Sequence, residues 1–190
     1  METRVAKLVG VAVAMLAIMA VLAGCSQGVT RASGGTPSDS PSNTASIPAT
    51  TGPSSRSTVA YHPKTVTPQI TGTTVSISAE EVGRNGIENF SVTSPAGNMP
   101  FMAYQLDGKY YVRAAICVPC GSKSFTLKSG TLICDSCRTV FDATTGTGTI
   151  GVGACITYAK KAAAYTIDGG NIAINIGDLT TAYQNTLNRI

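Results

Sequence analysis

The sequence predicts a mainly β domain, in which β-hairpins form a small sheet or barrel-like structure with two Cys-x-x-Cys knuckles and a C-terminal helix. Three turn signals support the strands, because each of them separates two apolar segments. They are Asp107-Gly108, Ser129-Gly130 and Asp168-Gly169-Gly170. Glycine in such short turns supplies the left-handed backbone conformation that a tight hairpin requires. We therefore expect three hairpins along the chain.

The segments that flank these turns have the composition of strands. Val75 and Ile77 alternate with serines ahead of the first hairpin, which predicts a half-buried strand. The hairpin strands are predicted at residues 100–106 with 109–116, 125–127 with 131–133, and 164–167 with 172–176.

Two segments carry helical signals. Glu80-Glu81 is typical of a helix start or of a surface pair. Residues 178–189 predict a C-terminal helix capped by Asp178, because an aspartate can accept hydrogen bonds from the first N–H groups of a helix. The apolar face of this helix should hold Leu179, Ala182, Tyr183 and Leu187, which recur at helical spacing.

The first 24 residues have the order of a secretory signal peptide: a basic start, an apolar run over residues 8–23 and a small residue. The ending Leu22-Ala23-Gly24-Cys25 resembles the bacterial lipobox, which implies lipidation of Cys25 and cleavage before it. The alternative is a retained transmembrane helix, but the apolar run is shorter than the roughly 18 to 20 residues that a bilayer needs. We expect a lipid anchor at the extracytoplasmic face of the cell membrane.

Residues 25–60 are rich in Ser, Thr, Pro, Gly and Ala, and this composition predicts a disordered tether behind the lipidated Cys25. Residues 61–190 then form one domain of ordinary size. Basic and acidic residues nearly balance within it, and no run of Lys or Arg occurs. The sequence therefore gives no indication of a nucleic-acid partner.

Five of the six cysteines lie in the domain with the spacing C-x2-C-x13-C-x2-C-x17-C. They are Cys117, Cys120, Cys134, Cys137 and Cys155. Two Cys-x-x-Cys pairs that follow hairpin strands can turn four thiolates toward one point, a donor set that suits an iron–sulfur cluster or zinc. The spacing leaves both metals open. Cys155 follows a glycine-rich segment, and is either a fifth ligand near the site or a small buried residue.

The order of motifs over roughly residues 75–180 resembles the FtrD-like family. The resemblance is carried by Met99-Pro100-Phe101, the first Cys-x-x-Cys-Gly, Leu132-Ile133-Cys134 with Cys137 and Phe141, and Gly153-Ala154-Cys155. Members are membrane-associated iron–sulfur proteins, and some accompany a ferrous-iron permease. The family pattern continues with Asn-Pro after the last cysteine, whereas Ile156-Thr157 stands here. This departure concerns Cys155 and leaves both pairs intact.

The resemblance implies an iron–sulfur cluster at Cys117, Cys120, Cys134 and Cys137, with Cys155 nearby as an extra or alternative metal ligand. It implies that the protein transfers electrons or handles iron rather than acting as an enzyme. Its implied partner is a membrane iron permease or a redox protein. One alternative is a zinc-ribbon-like module, in which the metal supplies folding free energy.

Two hypotheses use the cysteines without a metal. A thiol–disulfide oxidoreductase would use Cys117 and Cys120, but such thiols usually lie at a helix N-terminus, and strands flank them here. Structural disulfides within each pair would close very short loops and stabilise weakly. A Rieske centre is excluded, because it needs two histidines and His62 is the only one. Lys160, Lys161 and Arg138 are predicted to be solvated charges that could orient an acidic redox partner.

Overall fold

The structure, a computed structural model, describes residues 52–95, 97–151 and 153–189. The predicted signal peptide, the predicted lipidation site Cys25 and the first part of the predicted tether lie outside these residues. The described chain consists of strands in three sheets, two helices and a short 3-10 helix. The prediction of a mainly β domain with a C-terminal helix is confirmed.

The strands follow the chain in this order: β1 (Ala60–Tyr61), β2 (Lys64–Thr65), β3 (Gln69–Thr71), β4 (Thr74–Ser78), β5 (Ile87–Ser94), β6 (Gly97–Leu106), β7 (Lys109–Ala114), β8 (Phe125–Lys128), β9 (Thr131–Cys134), β10 (Val140–Asp142), β11 (Gly148–Ile150), β12 (Thr166–Asp168) and β13 (Asn171–Asn175). The helices are α1 (Ala79–Asn85), between β4 and β5, and α2 (Ile176–Leu187), after β13. The 3-10 helix is Gly153–Thr157.

The strands form three sheets. The cysteine sheet has the order β1-β8-β9-β10-β11, the central sheet has the order β2-β5-β6-β7, and the outer sheet has the order β12-β13-β4-β3. Neighbouring strands are antiparallel except β2 and β5, which are parallel. This arrangement follows from the hairpins, since consecutive strands pair with each other in every sheet.

All three predicted hairpins are present, as β6–β7, β8–β9 and β12–β13. Each turn has two successive residues with positive φ, as a two-residue turn of the type that matches strand twist requires. For example, Asp107 has φ 50° and Gly108 has φ 77°. The two residues of each turn therefore determine where the hairpin forms.

The central sheet is buried on both faces, and its strand β6 contributes to two hydrophobic cores. Phe101 and Ala103 belong to the first core, which the outer sheet and both helices complete. Met102 and Tyr104 point to the opposite face and belong to the second core, which contains cysteine-sheet residues. Because side chains alternate along a strand, one continuous apolar segment serves both cores.

The C-terminal helix begins two residues earlier than predicted. Its N-cap is Asn175, whose side chain accepts a hydrogen bond from the Gly177 N–H at 2.8 Å. The prediction of Asp178 as the cap is wrong, because strand β13 ends at Asn175 and the helix starts at once. Of the predicted apolar face, Leu187 is 40% exposed. The buried position near the end of this helix belongs to Thr186.

The start of α1 agrees with the prediction for Glu80-Glu81, which lie in its first turn after the N-cap Ser78.

Part of the predicted tether lies on the domain. The Pro53 carbonyl accepts a hydrogen bond from the Asp107 N–H at 3.0 Å, and the Ser57 carbonyl accepts one from the Ser129 N–H at 3.2 Å. These bonds go to hairpin turns, which the composition of the tether could not reveal. None of the helices in the described ranges is long and apolar enough to span a bilayer.

Candidate metal centre

The two Cys-x-x-Cys segments have the same backbone geometry. In each, the residue after the second cysteine donates its N–H to the carbonyl of the first cysteine, and the first cysteine donates to the carbonyl two residues beyond the second. The bonds are Gly121 to Cys117 at 2.8 Å, Arg138 to Cys134 at 3.0 Å, Cys117 to Ser122 at 2.8 Å and Cys134 to Thr139 at 2.9 Å. Each segment is therefore a closed turn at the end of a strand, which we call a knuckle.

Both knuckles need a left-handed residue directly after their second cysteine. Gly121 has φ 71° in the first knuckle, and Arg138 has φ 61° in the second. Glycine adopts this conformation without steric cost, whereas an arginine is strained by its Cβ atom. The second knuckle therefore has the same backbone geometry as the first, but with backbone strain at Arg138.

The four knuckle cysteines converge. Their sulfur atoms all lie within 4.8 Å of one another. Two contacts run between the knuckles: 3.8 Å from Cys117 Sγ to Cys137 Sγ, and 3.7 Å from Cys120 Sγ to Cys134 Sγ. These distances are longer than a disulfide bond, and all five cysteines in the described ranges are free thiols.

This donor set fits a thiolate-bound metal centre. A tetrahedral ion with metal–sulfur bonds of about 2.3 Å places its ligand sulfurs about 3.8 Å apart, close to the two contacts above. Four thiolates also form the usual ligand set of iron–sulfur clusters. The four residues therefore supply enough ligands for either kind of centre without a fifth ligand, and their sulfur spacing matches that around a single tetrahedral ion.

The four sulfurs differ in exposure. Cys117 and Cys134 are buried, Cys137 is half-buried and Cys120 is exposed. Beneath them, Phe125 and Phe141 pack edge to face with ring centroids 6.0 Å apart. The centre is thus embedded in the second core and reaches the surface at Cys120.

Cys137 ionises more readily than an ordinary cysteine, because its pKa is lowered. Burial raises its pKa, but hydrogen bonds outweigh burial and bring the pKa of Cys137 to about 6. The main ones come from the side chain and the N–H of Thr139. The Thr139 hydroxyl lies 3.2 Å from the Cys137 sulfur, and Thr139 itself is fully buried. At neutral pH this cysteine offers a thiolate to an incoming metal.

The first cysteine of each knuckle behaves in the opposite way. Burial raises the pKa of Cys117 and of Cys134, so both hold their protons at neutral pH in the absence of a metal. The N–H groups of Ser136 and Cys137 point at the Cys134 sulfur and oppose this rise. Metal binding must therefore release protons from these two thiols.

Asp135 connects the second knuckle to strand β8. Its carboxylate accepts hydrogen bonds from the Ser124 hydroxyl and, at 2.7 Å, from the Thr126 hydroxyl. His62 Nδ1 lies 3.1 Å from the same Thr126 hydroxyl. The lone histidine therefore lies outside the sulfur group, connected to it through Thr126 and Asp135, in agreement with the exclusion of a Rieske centre.

Cys155 lies beside the four sulfurs but outside their group. It is buried in the 3-10 helix and belongs to the second core, which also contains Cys117 and Cys134. The glycines before it allow close packing: a Cβ atom on Gly151 would lie 2.7 Å from the Thr139 Cγ2 atom. The glycine-rich approach predicted from the sequence thus packs against the residue that hydrogen-bonds Cys137.

Lys160 corrects the prediction of a solvated charge, because none of it is exposed to solvent. Its Nζ donates a hydrogen bond of 2.7 Å to the carbonyl of Ile116, the residue before Cys117. Lys161 is half-buried, whereas Arg138 is exposed as predicted. No pattern around Lys160 distinguishes it from its neighbour, so sequence reasoning missed it.

Arg113 is a second buried cation that the sequence did not indicate. Its Nε donates to the Tyr104 hydroxyl at 2.8 Å, and its Nη1 donates to the carbonyls of Thr145 at 3.2 Å and Lys160 at 2.7 Å. Its Nη2 donates to the Thr144 carbonyl. Arg113 thus fixes the backbone of the loop after β10 and of Lys160.

The fold and this group define a small β protein with a four-cysteine centre at one end of the cysteine sheet. A family model described as "Membrane iron-sulfur containing protein FtrD-like" matches residues 82–185, more than half of the chain. The chain belongs to this FtrD-like family. The resemblance seen in the sequence is confirmed.

The comparison with solved structures finds distant similarity. A chain of the "Complex of reduced oxygenase and oxidized ferredoxin in carbazole 1,9a-dioxygenase" aligns with 14% identity and a TM-score of 0.45, over 56% of this chain and 95% of that one. The "Ferredoxin of carbazole 1,9a-dioxygenase from Nocardioides aromaticivorans IC177" aligns with 14% identity and a TM-score of 0.42, over 58% and 98%. No curated protein matches the chain.

Proposed function

We propose that this protein is a lipid-anchored, extracytoplasmic iron–sulfur protein that transfers electrons or handles iron in connection with membrane iron transport. The observation that carries the proposal is that a member of an iron–sulfur family brings four free cysteines from two knuckles together in one group. Cys117, Cys120, Cys134 and Cys137 are the proposed ligands. Cys155, buried in the same core as Cys117, is an additional or alternative ligand.

The protein residues supply geometry, shielding and a surface contact. The two knuckles hold their sulfurs by backbone hydrogen bonds, so the ligands need not move when charge changes. Buried Cys117 and Cys134 keep water from one side, while exposed Cys120 offers the edge at which an electron can leave. An iron–sulfur centre supplies one-electron redox chemistry when bound.

The location and the partners are inferred from the sequence and the family description. The lipobox-like ending at Cys25 supports a lipid anchor, and the family description names membrane proteins. A partner in the same membrane, an iron permease or a redox protein, would then meet the domain at the end of its tether. Exposed Arg138 directly after Cys137 suits a partner with an acidic surface.

The test is anaerobic purification of the full-length chain in detergent, with visible absorption and EPR spectra of the reduced protein. The proposal predicts a brown protein whose colour and EPR signal are lost in Cys134→Ser and retained in the matched knuckle variant Ser136→Ala. A colourless wild-type protein that cannot be loaded with iron and sulfide under reducing conditions would contradict it. Cys155→Ser in the same assay determines whether that residue is a ligand.

A second candidate is a zinc-ribbon-like module, and the compactness of the sulfur group favours it. The 3.7 and 3.8 Å contacts match the sulfur spacing around one tetrahedral ion, whereas irons and sulfides would spread the ligands of a cluster. In that case the metal stabilises the fold and performs no redox step. One zinc per chain, with no iron and no visible colour, would support this candidate.

A further inference from the structure

We infer that Lys160 is the internal counter-ion of the four-cysteine centre, and that its positive charge strengthens metal retention and raises the reduction potential of a redox-active centre. This inference rests on the proposed function only in requiring that the four cysteines bind a metal. The Lys160 ammonium donates its hydrogen bond to a backbone carbonyl rather than to a ligand sulfur, so the lysine acts as a positioning and charge-balancing residue.

The Lys160 ammonium lies deep in the second core. Nζ is 4.5 Å from the ring centroid of Phe141 and 5.7 Å from that of Phe125. These two rings pack in the same core as Cys117 and Cys134. The ammonium therefore lies between the aromatic rings and the carbonyl that precedes Cys117, rather than reaching solvent.

Among the described residues, Lys160 has no carboxylate partner, since the ion pairs there join Arg84 to Glu80 and Glu81. Burial lowers the pKa of Lys160, and the groups that oppose this effect are the sulfurs of Cys117, Cys134, Cys155 and Cys120. A buried charge without a partner is costly, so an anionic group near Lys160 stabilises its charged form. Metal binding converts the cysteine thiols to thiolates, and these are the negative groups that balance the lysine.

The charges of the centre complement this lysine. Four thiolates around one divalent ion leave an excess of two negative charges in a buried site. The net charge of an iron–sulfur centre likewise affects its reduction potential. A fixed positive charge nearby stabilises the reduced state, which carries one more negative charge, and therefore raises the potential.

The backbone at Lys160 is held in place. Its N–H donates to the Gly146 carbonyl at 2.8 Å, and its own carbonyl accepts from Arg113 Nη1 at 2.7 Å. Gly146 has φ 77°, and a Cβ atom on it would come within 2.6 Å of Arg113 Nη1. This packing leaves the lysine little freedom to turn outward, so its direction toward the centre is part of the fold.

The test compares Lys160→Met, which keeps an unbranched side chain one atom shorter and removes the charge, with Lys160→Arg, which keeps the charge. Lys161→Met is the matched control at the neighbouring position. In the full-length protein, we expect Lys160→Met to lose its metal to a chelator about tenfold faster, as for other residues that support ligands. We also expect a lower midpoint potential in an EPR-monitored redox titration. Lys160→Arg should stay closer to the wild type, and Lys161→Met should match it.

A second measurement separates a counter-ion from a packing residue. Removing an unpartnered buried charge should raise the melting temperature of the metal-free protein, while the same substitution weakens metal retention. A residue needed only for packing would lower both. Equal metal retention and equal potential in wild type and Lys160→Met would overturn the inference.

The failure of the inference can be distinguished from that of the proposed function. If the protein binds zinc and no cluster, the proposed function fails, but the chelator measurement with zinc still tests Lys160. If a cluster is present and Lys160→Met behaves as the wild type, the inference alone fails. A chain that binds neither metal would overturn both.

Discussion

Gly151 packs against Thr139 so closely that a Cβ atom on the glycine would lie 2.7 Å from the Thr139 Cγ2 atom and 2.8 Å from its hydroxyl oxygen. Thr139 in turn hydrogen-bonds the Cys137 sulfur. A backbone position outside the knuckles therefore sets the position of a residue that stabilises a proposed ligand. The glycine-rich segment before Cys155 acts on the centre through this contact.

Gly151→Ala should displace Thr139 and weaken metal binding by about tenfold, a typical effect of disturbing a residue that supports a metal ligand. The metal affinity is measured by competition with a chelator, in which the amount of metal released from the protein is monitored. Gly177→Ala adds the same methyl group in the first turn of α2, where it would meet only the Asn175 side chain at 3.1 Å. Equal metal affinity in Gly151→Ala and the wild type would show that this contact does not support the centre.

Thr139→Val should raise the pKa of Cys137 above its value of about 6 in the metal-free protein. The valine keeps the shape of the threonine but removes the hydroxyl that stabilises the thiolate. At neutral pH the wild-type Cys137 is mostly thiolate, so the variant should carry less thiolate and react more slowly with iodoacetamide. Mass spectrometry of labelled Cys137 over a pH series gives the midpoint. An unchanged midpoint would mean that the remaining hydrogen bonds, not the hydroxyl, lower this pKa.

Gly121→Ala should destabilise the first knuckle by about 1 to 2 kcal/mol, because a Cβ atom is strained at its φ of 71°. Arg138→Gly tests the same geometry in the opposite direction, since it removes a strained Cβ atom at φ 61°. Its free energy of unfolding should be equal to or above that of the wild type. Urea unfolding of both variants measures these changes. If both substitutions lowered the free energy of unfolding by the same amount, the two knuckles would not have equivalent backbone geometry.

Glu88→Gln should stabilise the protein at neutral pH. Glu88 is only 1% exposed, its Oε2 has no partner among the described residues, and burial raises its pKa above the ordinary value of 4.5. A carboxyl with a raised pKa in the folded state stabilises the fold while it is protonated. That contribution is therefore lost as the pH rises from 4.5 through the folded pKa.

The melting temperature of Glu88→Gln, relative to the wild type, should thus increase as the pH rises across this window. Glu80→Gln is the control, since the Glu80 side chain is 83% exposed and pairs weakly with Arg84. A difference between Glu88→Gln and the wild type that is independent of pH would show that Glu88 does not titrate there.

The parts of the fold that the sequence predicted are those that local chemistry determines. The three hairpins depend on two adjacent turn residues each, and each knuckle depends on a pair of cysteines separated by two residues. The N-cap of α2 was misplaced by three residues, because Asn175 and Asp178 can both cap a helix and only the end of β13 distinguishes them. Local signals could not decide between these caps.

The surroundings of the centre depend on contacts between residues far apart in the sequence. Lys160 bonds to Ile116 across 44 residues, and His62 meets Thr126 across 64. Neither pair has a periodic pattern or a motif, so burial of Lys160 and the position of His62 emerge only from the tertiary structure. The proposed ligands were therefore predictable, whereas the residues that tune them were not.

The most direct test of the central claim is a count of iron and acid-labile sulfide per chain in the anaerobically purified full-length protein. We expect iron and sulfide in equal amounts, with both lost together in Cys134→Ser. One zinc ion per chain without sulfide, in a protein that keeps its fold, would contradict the iron–sulfur centre.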